Sequence, residues 1–380
     1  MGKFSDKYLN RNGNESQKNQ NQNYKFTNKI ENEEIFNPEF SISENDRVVN
    51  LIKEAFHSNT EIRFNSYKKI INLGRKALPT LYSILSDHET AKRIAAKTIG
   101  IKLKNLLTGN IDENTKSKIE LRAIITKNIA CTCSSKIVKD LDYEEKSKLA
   151  SIFQKLLATN LDKNKYSESI LQSYEDLKYN ILLSIRSLSD AALSLSATIN
   201  SILKQKDISV KVKNQAILAM AYIAELNSRN SANILINIFE DKSEEQLIRM
   251  NALLALGEIG DSLSIEQVDE ILNYLIAEIE ESGVDENKRA YLEAALGFGR
   301  RRINIFLDII KDRNKKLQTR EFACYVCFGI AKKNVDAYDF IVASLDEIRK
   351  SLKENSELIY ESDDKSILIL LEDILKILSY

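Results

Sequence analysis

One stretch of the chain decides its fold: residues Leu247–Asp261, which read LIRMNALLALGEIGD. It combines a basic residue, small and apolar residues at helical spacing, and two glycines near its end. Weaker copies occur at residues 92–100 (KRIAAKTIG), 287–297 (NKRAYLEAALG) and 319–329 (TREFACYVCFG). A helical unit that recurs along a chain is typical of stacked helical arrays. The sequence therefore predicts an all-α superhelix rather than one compact globule.

The spacing of apolar residues predicts helical hairpins of about 30 residues. Ile234, Leu235, Ile238 and Phe239 form one helical face, residues 241–244 form a turn, and a second helix follows. We expect the glycines at the end of that second helix to terminate it.

A second copy of this layout is ALPTLYSILSD at residues 77–87. Its proline stands where a first helix begins, and Asp87 falls at the turn between the two helices.

An acidic residue at such a turn is followed six or eight positions later by a basic residue. The four pairs are Asp87 with Arg93, Asp207 with Lys213, Asp241 with Arg249, and Asp312 with Arg320. In these features the chain resembles HEAT repeats, particularly the short variety of the phycobilisome-lyase-like group. The resemblance implies that these charges form a ladder between neighbouring repeats, which is a structural role.

The resemblance covers most of residues 46–380 and is weakest between residues 105 and 200. We therefore predict one HEAT-type solenoid domain over residues 46–380. Residues 1–45 are rich in Asn, Gln, Lys and Glu and hold few apolar residues, so we predict a disordered polar tail there. The tail is either a solvating segment or a partner-docking arm.

Composition excludes several classes of function. Only two histidines occur, so a histidine triad or a multi-histidine metal site is not expected. No glycine-rich phosphate loop follows a strand pattern, and no apolar run approaches 18 residues. We expect a cytoplasmic, bacterial, non-enzymatic protein without a cofactor, a metal or a membrane span; its oligomeric state stays open.

Four cysteines do not form a disulfide framework. Cys324 and Cys327 have CxxC spacing, but they lie on one face of a predicted helix, at positions that match Leu253 and Leu256 of the opening stretch. We interpret them as small buried apolar residues rather than as zinc or redox ligands.

Charge is balanced overall at 55 basic and 55 acidic residues, yet it is distributed in blocks. Residues 53–136 hold 16 Lys or Arg against 7 Asp or Glu, residues 240–286 hold 2 against 14, and residues 288–320 hold 10 against 3. In a solenoid such blocks become surface patches, although ordinary solvated helix faces give the same pattern. The candidate partner-binding residues are Arg300, Arg301, Arg302, Lys68, Lys69, Arg75, Lys76, Lys92 and Lys97.

Three functions are compatible with these features. The favoured hypothesis is a protein-interaction scaffold whose charged patches orient a protein partner. The alternative is a nucleic-acid-binding HEAT protein, resembling the HEAT-like DNA glycosylases in repeat type, whose basic patches contact phosphates. A lyase similar to the phycobilin-attaching enzymes is the third hypothesis, and no catalytic residue of either enzyme group can be matched here.

Overall fold

The computed structural model describes residues 44–102, 106, 108, 111–226, 229–282, 287–354 and 363–379. These residues form seventeen α-helices and no strand, so the predicted all-α fold is confirmed. The chain divides into two compact units, Met1–Ala191 and Ala192–Tyr380. Residues 1–43 of the predicted tail lie outside the described part, and the division into a tail (1–45) and one repeat domain (46–380) stays a prediction.

The first unit is built around one long helix. Its helices are α1 (Glu44–Glu54), α2 (Thr60–Asn72), α3 (Leu78–Ser86), α4 (His88–Thr98), α5 (Glu113–Val138), α6 (Tyr143–Ala158) and α7 (Glu168–Leu183). Helix α5 packs against α3, α4 and α7. Because neighbours cover it on several sides, α5 is buried around most of its circumference rather than along a single stripe.

Local sequence signals begin these helices. Pro79 lies in the first turn of α3, as predicted, where its missing N–H costs nothing. Asp87, Asp112 and Asp142 precede α4, α5 and α6, and each side chain accepts hydrogen bonds from backbone N–H groups of the first turn. Such N-caps each stabilise a helix by about 1 kcal/mol. Asp87 therefore occupies the predicted inter-helix turn.

The second unit consists of helices arranged in two rows. They are α8 (Ser196–Leu203), α9 (Val210–Glu225), α10 (Arg229–Glu240), α11 (Gln246–Glu258), α12 (Ile265–Ser282), α13 (Lys288–Gly299), α14 (Ile303–Lys311), α15 (Leu317–Lys333), α16 (Val335–Glu354) and α17 (Asp363–Leu378). Helices α9, α11, α13, α15 and α17 contact one another in sequence. Helices α10, α14 and α16 each pack on the following helix of that row. This is the stacking of helical hairpins that the recurring stretch predicted.

The glycines of the recurring stretch correct one prediction. Gly257 does not terminate its helix, because α11 continues to Glu258. A Cβ atom placed on Gly297, within α13, would lie 2.0 Å from the Gly257 carbonyl oxygen. Gly257 and Gly297 therefore allow the backbones of α11 and α13 to touch. Gly260 does follow the end of α11, and a Cβ there would lie 2.5 Å from the Gly297 carbonyl oxygen.

Two buried arginines, Arg249 and Arg320, each join their own hairpin to a later helix. Arg249 donates from Nε to the Phe239 carbonyl oxygen at 2.8 Å and pairs through Nη2 with Glu278 Oε1 at 2.6 Å. Arg320, 71 residues later, donates from Nε to the Ile310 carbonyl oxygen at 3.0 Å. The predicted structural role of these arginines is confirmed.

The carboxylates bound by these arginines are not the ones that the spacing indicated. Arg320 pairs through Nη1 with Asp364 Oδ1 at 2.7 Å, as Arg249 pairs with Glu278. Asp241 and Asp312 instead accept hydrogen bonds from residues of their own turns. The Ser243 side chain and backbone, followed by the charges of Arg249 and Lys213, hold the pKa of Asp241 below its usual value.

The cysteine interpretation is confirmed by position. Cys324 and Cys327 lie in α15 and Cys131 and Cys133 in α5, and all four side chains are fully buried. Burial raises the pKa of the Cys131, Cys133 and Cys324 thiols to about 12, which opposes formation of the reactive thiolate.

Within the described residues, no helix combines the length and apolarity needed to cross a bilayer.

Among the described residues, one residue other than glycine has a positive φ angle: Ser189, in the short helical segment Ile185–Leu195, has φ 50° and ψ −133°.

Candidate functional site

Part of the charge in the second unit is used in ion pairs within the unit. Besides the Arg249–Glu278 pair, Lys213 reaches Glu244 of the acidic block, and Lys242 reaches Glu281 at 2.6 Å. These contacts join residues on neighbouring hairpins. These ion pairs therefore help to hold neighbouring hairpins in register.

The three residues of the predicted anchor Arg300–Arg302 have different environments in the structure. Arg301 donates from Nη1 to the carbonyl oxygens of Gly260 and Leu263, and Arg302 pairs with Asp269 Oδ2 at 2.6 Å. Both guanidinium groups thus connect α13 to the preceding hairpin. Arg300 is exposed, and its guanidinium makes no hydrogen bond or ion pair with any residue that the structure describes.

The candidate cations of the first unit are also engaged in part. Lys69 pairs with Glu54 at 3.5 Å, and Arg75 pairs with Asp142. Lys68 Nζ lies 4.4 Å from the centre of the exposed Phe64 ring. These are intrachain contacts at the surface, where one ion pair contributes about 0–1 kcal/mol and is easily exchanged for a partner.

The remaining three candidate partner-binding residues of the first unit differ in environment. Lys92 is half-buried and lies 3.2 Å from Glu120 and 3.4 Å from Glu89. Lys76 is exposed and takes part in an intrachain interaction. Lys97, in the last turn of α4, is exposed.

An open pocket of about 400 Å³ lies beside Arg300. Its charged members are the cations Arg300 and Lys333 and the carboxylate Asp336, and its apolar members include Leu296, Ile330 and Val335. Val335, the first residue of α16, is 89% exposed. We call this set the Arg300 surface; two cations there stand directly beside exposed apolar atoms.

A second pocket, of about 330 Å³, lies within the first unit. We call it the Lys127 pocket, because it is closed on one side by Lys127 of α5, which is only 6% exposed. The Lys127 ammonium donates a hydrogen bond to the carbonyl oxygen of Leu85 at the end of α3, at 3.2 Å. This pocket was not predicted from the sequence.

A carboxylate and an imidazole stand at the side of the Lys127 pocket. His88 Nε2 lies 2.6 Å from Glu120 Oε1, and Lys92 Nζ lies 3.2 Å from Glu120 Oε2. Burial acts to raise the pKa of Glu120, but His88 and Lys92 outweigh it and hold that pKa below its ordinary value. Desolvation lowers the pKa of Lys127, and the charges of Asp87 and Glu120 offset only part of that effect.

Tyrosines and aliphatic side chains complete the wall. Tyr174 of α7 donates its hydroxyl hydrogen to the Leu156 carbonyl oxygen at 2.9 Å, and burial raises its pKa to about 12. Ile124 and Ile152 also line the pocket. The pocket therefore combines an apolar wall with polar groups and one buried lysine.

A sequence signal for this pocket existed. Glu120, Ile124 and Lys127 are spaced i, i+4 and i+7, which places them on one face of a helix. A lysine that shares a face with apolar residues is a candidate for burial. The sequence could not indicate that α3, α4, α6 and α7 would close around that face.

Comparison with known proteins supports a helical repeat. Residues 125–282, less than half of the chain, match the family described as the vitellogenin TPR domain. Comparison with curated proteins gives no match. The match overlaps residues 125–200, where the resemblance to HEAT repeats was weakest.

Among solved structures, the chain is similar to an engineered protein at 14% identity, covering 88% of this chain and 99% of that one with a TM-score of 0.35. It is also similar to a mutant of Kap121p at 13% identity, covering 88% of this chain and 43% of that one with a TM-score of 0.33. From its stacked helices and the family match, the chain is a helical repeat protein. The specific HEAT type stays a prediction.

Proposed function

We propose that the protein is a non-enzymatic interaction scaffold that binds an acidic, partly apolar segment of a protein partner. The Arg300 surface is the proposed docking point. The packing of the helices holds Arg300 and Lys333 at a fixed separation, so that a partner meets preorganised charges.

One observation carries this proposal: the side chains of Arg300 and Lys333 make no hydrogen bond or ion pair with described residues, whereas Arg249 and Arg302 of the same unit pair with carboxylates. Beside them, Val335 exposes most of its side chain. Carboxylates complement the two cations, and an apolar side chain of the partner would cover Val335 and Leu296. Phosphates of a nucleic acid would satisfy the charges but not the apolar atoms, so we favour a protein segment.

The test is a peptide-display selection on the full chain, followed by fluorescence anisotropy with the selected peptides. We expect enrichment of peptides that combine Asp or Glu with an aliphatic or aromatic residue. The double variant Arg300→Glu with Lys333→Glu should weaken their binding by about tenfold or more, because two attractions become repulsions.

A matched control removes the effect of net charge alone. Lys311 and Lys376 are exposed residues of α14 and α17, and Lys311→Glu with Lys376→Glu makes the same change in total charge. Peptide affinity should survive in this control. Equal loss in both double variants, or selection of peptides without acidic residues, would contradict the proposal.

A duplex DNA arm at about 50 mM salt tests the nucleic-acid alternative, because several phosphate contacts give strong binding under those conditions. DNA binding that Arg300→Glu with Lys333→Glu abolishes would replace the protein partner with a nucleic acid.

A further inference from the structure

The Lys127 pocket holds a buried cation without a counterion of its own. Lys127 is more than nine-tenths buried, and its one hydrogen-bond acceptor among the described residues is the neutral Leu85 carbonyl oxygen. An ammonium carries three N–H donors. The hydrogen bond to Leu85 therefore leaves two of them without a partner in the part of the chain that the structure describes.

The carboxylates whose charges act on Lys127, Asp87 and Glu120, do not form an ion pair with it among the described residues; Asp87 accepts hydrogen bonds from Glu89 and Thr90. Glu120 lies within 4 Å of His88 and Lys92, and its ion pairs go to those two residues rather than to Lys127. The His88 imidazole and the Lys92 ammonium already occupy its two oxygens. Glu120 thus holds the side chains of His88 and Lys92 beside the pocket but does not form an ion pair with Lys127.

A buried ammonium with a single neutral acceptor opposes folding. Removing an ion from water costs several kcal/mol unless an opposite charge and hydrogen bonds compensate. A methionine would fill the same volume at lower cost, so stability does not explain a lysine here. An anionic group placed against Lys127 would supply the missing charge and the missing acceptors.

The remaining lining specifies the rest of the ligand. Ile124, Ile152 and Leu156 present aliphatic surface, and Tyr166 and Tyr174 contribute rings. A volume of about 330 Å³ is within the usual range for small-molecule sites, which runs from roughly 300 to 1,000 Å³. A bare inorganic anion would leave this apolar surface uncovered.

We propose that the Lys127 pocket binds a small carboxylic acid with an apolar or aromatic body, whose carboxylate accepts hydrogen bonds from the Lys127 ammonium. The body lies against Ile124, Ile152 and the tyrosines. The exposed Lys155 at the rim adds a second positive charge at the entrance. This binding activity is separate from the proposed scaffold function, whose residues belong to the other unit.

The test compares two probes of the same size and apolar body, 3-phenylpropanoate and its amide 3-phenylpropanamide, which lacks the negative charge and has an NH2 group in place of one acceptor oxygen. Isothermal titration of the full chain should show that the acid binds about tenfold or more tightly than the amide, because a charge-assisted hydrogen bond contributes about 1.5–3 kcal/mol. Acetate should bind far more weakly than 3-phenylpropanoate, since it lacks the apolar body.

Two lysine variants locate the effect. Lys127→Met should abolish the preference for the acid. Lys178→Met is the matched control, because Lys178 is also 95% buried but its ammonium binds Asn160 Oδ1 at 2.8 Å and does not line the pocket. The acid should bind the Lys178 variant as it binds the wild type. A third variant, Ile152→Trp, fills the cavity from a half-buried position and should weaken both probes.

The proposal is overturned if acid and amide bind with equal affinity, if neither binds, or if Lys127→Met leaves the preference intact. Should Lys127→Met fail to fold, Ile152→Trp still decides the matter: unchanged binding of the acid would place it outside this pocket.

Discussion

Replacing Gly297 with alanine tests whether backbone contact between α11 and α13 holds the second unit together. The new Cβ would lie 2.0 Å from the Gly257 carbonyl oxygen and 2.7 Å from its carbonyl carbon. Carbon–oxygen contacts between packed backbones lie at about 3.3–3.6 Å, so the two helices would have to separate locally by about 1.3 Å. Neither obstacle is the end of a flexible side chain, which makes relief by rotation impossible.

The magnitude follows from two opposing effects. Overpacking of this kind costs about 3 kcal/mol when backbone must move, and the better helix propensity of alanine recovers about 1 kcal/mol. The free energy of unfolding should therefore fall by about 2 kcal/mol. For a unit of this size, Ala192–Tyr380, that corresponds to a decrease in Tm of about 4–8 °C.

The assay is thermal and urea unfolding of the full chain, followed by circular dichroism. Gly329→Ala in α15 is the matched control, because its Cβ would meet only side-chain atoms of Leu296, Cδ2 at 2.5 Å, Cδ1 at 3.2 Å and Cγ at 3.4 Å, and this side chain can rotate away. We expect the control to be as stable as the wild type or more stable. A Gly297→Ala protein as stable as the control would refute the close-contact explanation.

Three further outcomes are expected from the buried charges and the backbone. Arg249→Met should lower the free energy of unfolding by about 3–5 kcal/mol because the Glu278 carboxylate stays buried without its partner, and adding Glu278→Leu should restore most of it, as measured by urea unfolding. The stability difference between wild type and Glu120→Gln should be largest above pH 4.5 and shrink as pH falls, because a carboxylate whose pKa is lowered by folding contributes stability that is lost on protonation, which urea titrations from pH 7 to pH 3 would measure. Ser189→Gly should raise the free energy of unfolding by about 1 kcal/mol, since glycine adopts φ 50° without strain.

Each of these has a result that would count against it. A double variant Arg249→Met with Glu278→Leu that is no more stable than Arg249→Met alone would mean that the carboxylate is not the source of the loss. A pH-independent effect of Glu120→Gln would remove the ion pairs with His88 and Lys92 from the stability of the first unit. Destabilisation by Ser189→Gly would show that the serine side chain, which accepts from Lys146 Nζ at 3.3 Å, matters more than backbone strain.

The helices and their ends were predictable because their signals are local. Pro79 at the start of α3 and Asp87 between α3 and α4 act on neighbouring residues, so the spacing along the chain is sufficient. The burial of Cys324 and Cys327 followed from the same periodicity. A role for Gly257 in helix packing did not follow, since a glycine near a helix end looks the same whether it terminates the helix or admits a neighbour.

The candidate site was predictable only in part, because charges find partners across long separations. Arg301 and Arg302 stand next to Arg300 in sequence, yet the fold directs them to the preceding hairpin and leaves Arg300 exposed. From the sequence, all three arginines were equally good candidates for binding a partner. Their separate environments depend on where α12 lies, which no local pattern contains.

By itself, the sequence determined that this protein is a stack of helices, that turns precede α4 and α11, and that Cys324 and Cys327 lie on a buried face of α15. Tertiary structure alone decided that α11 and α13 touch through Gly257 and Gly297, and that four other helices close around Lys127 of α5. The physical reason is the range of the interactions. Helix formation and capping act within about four residues, whereas contact distances and pockets arise from residues tens of positions apart.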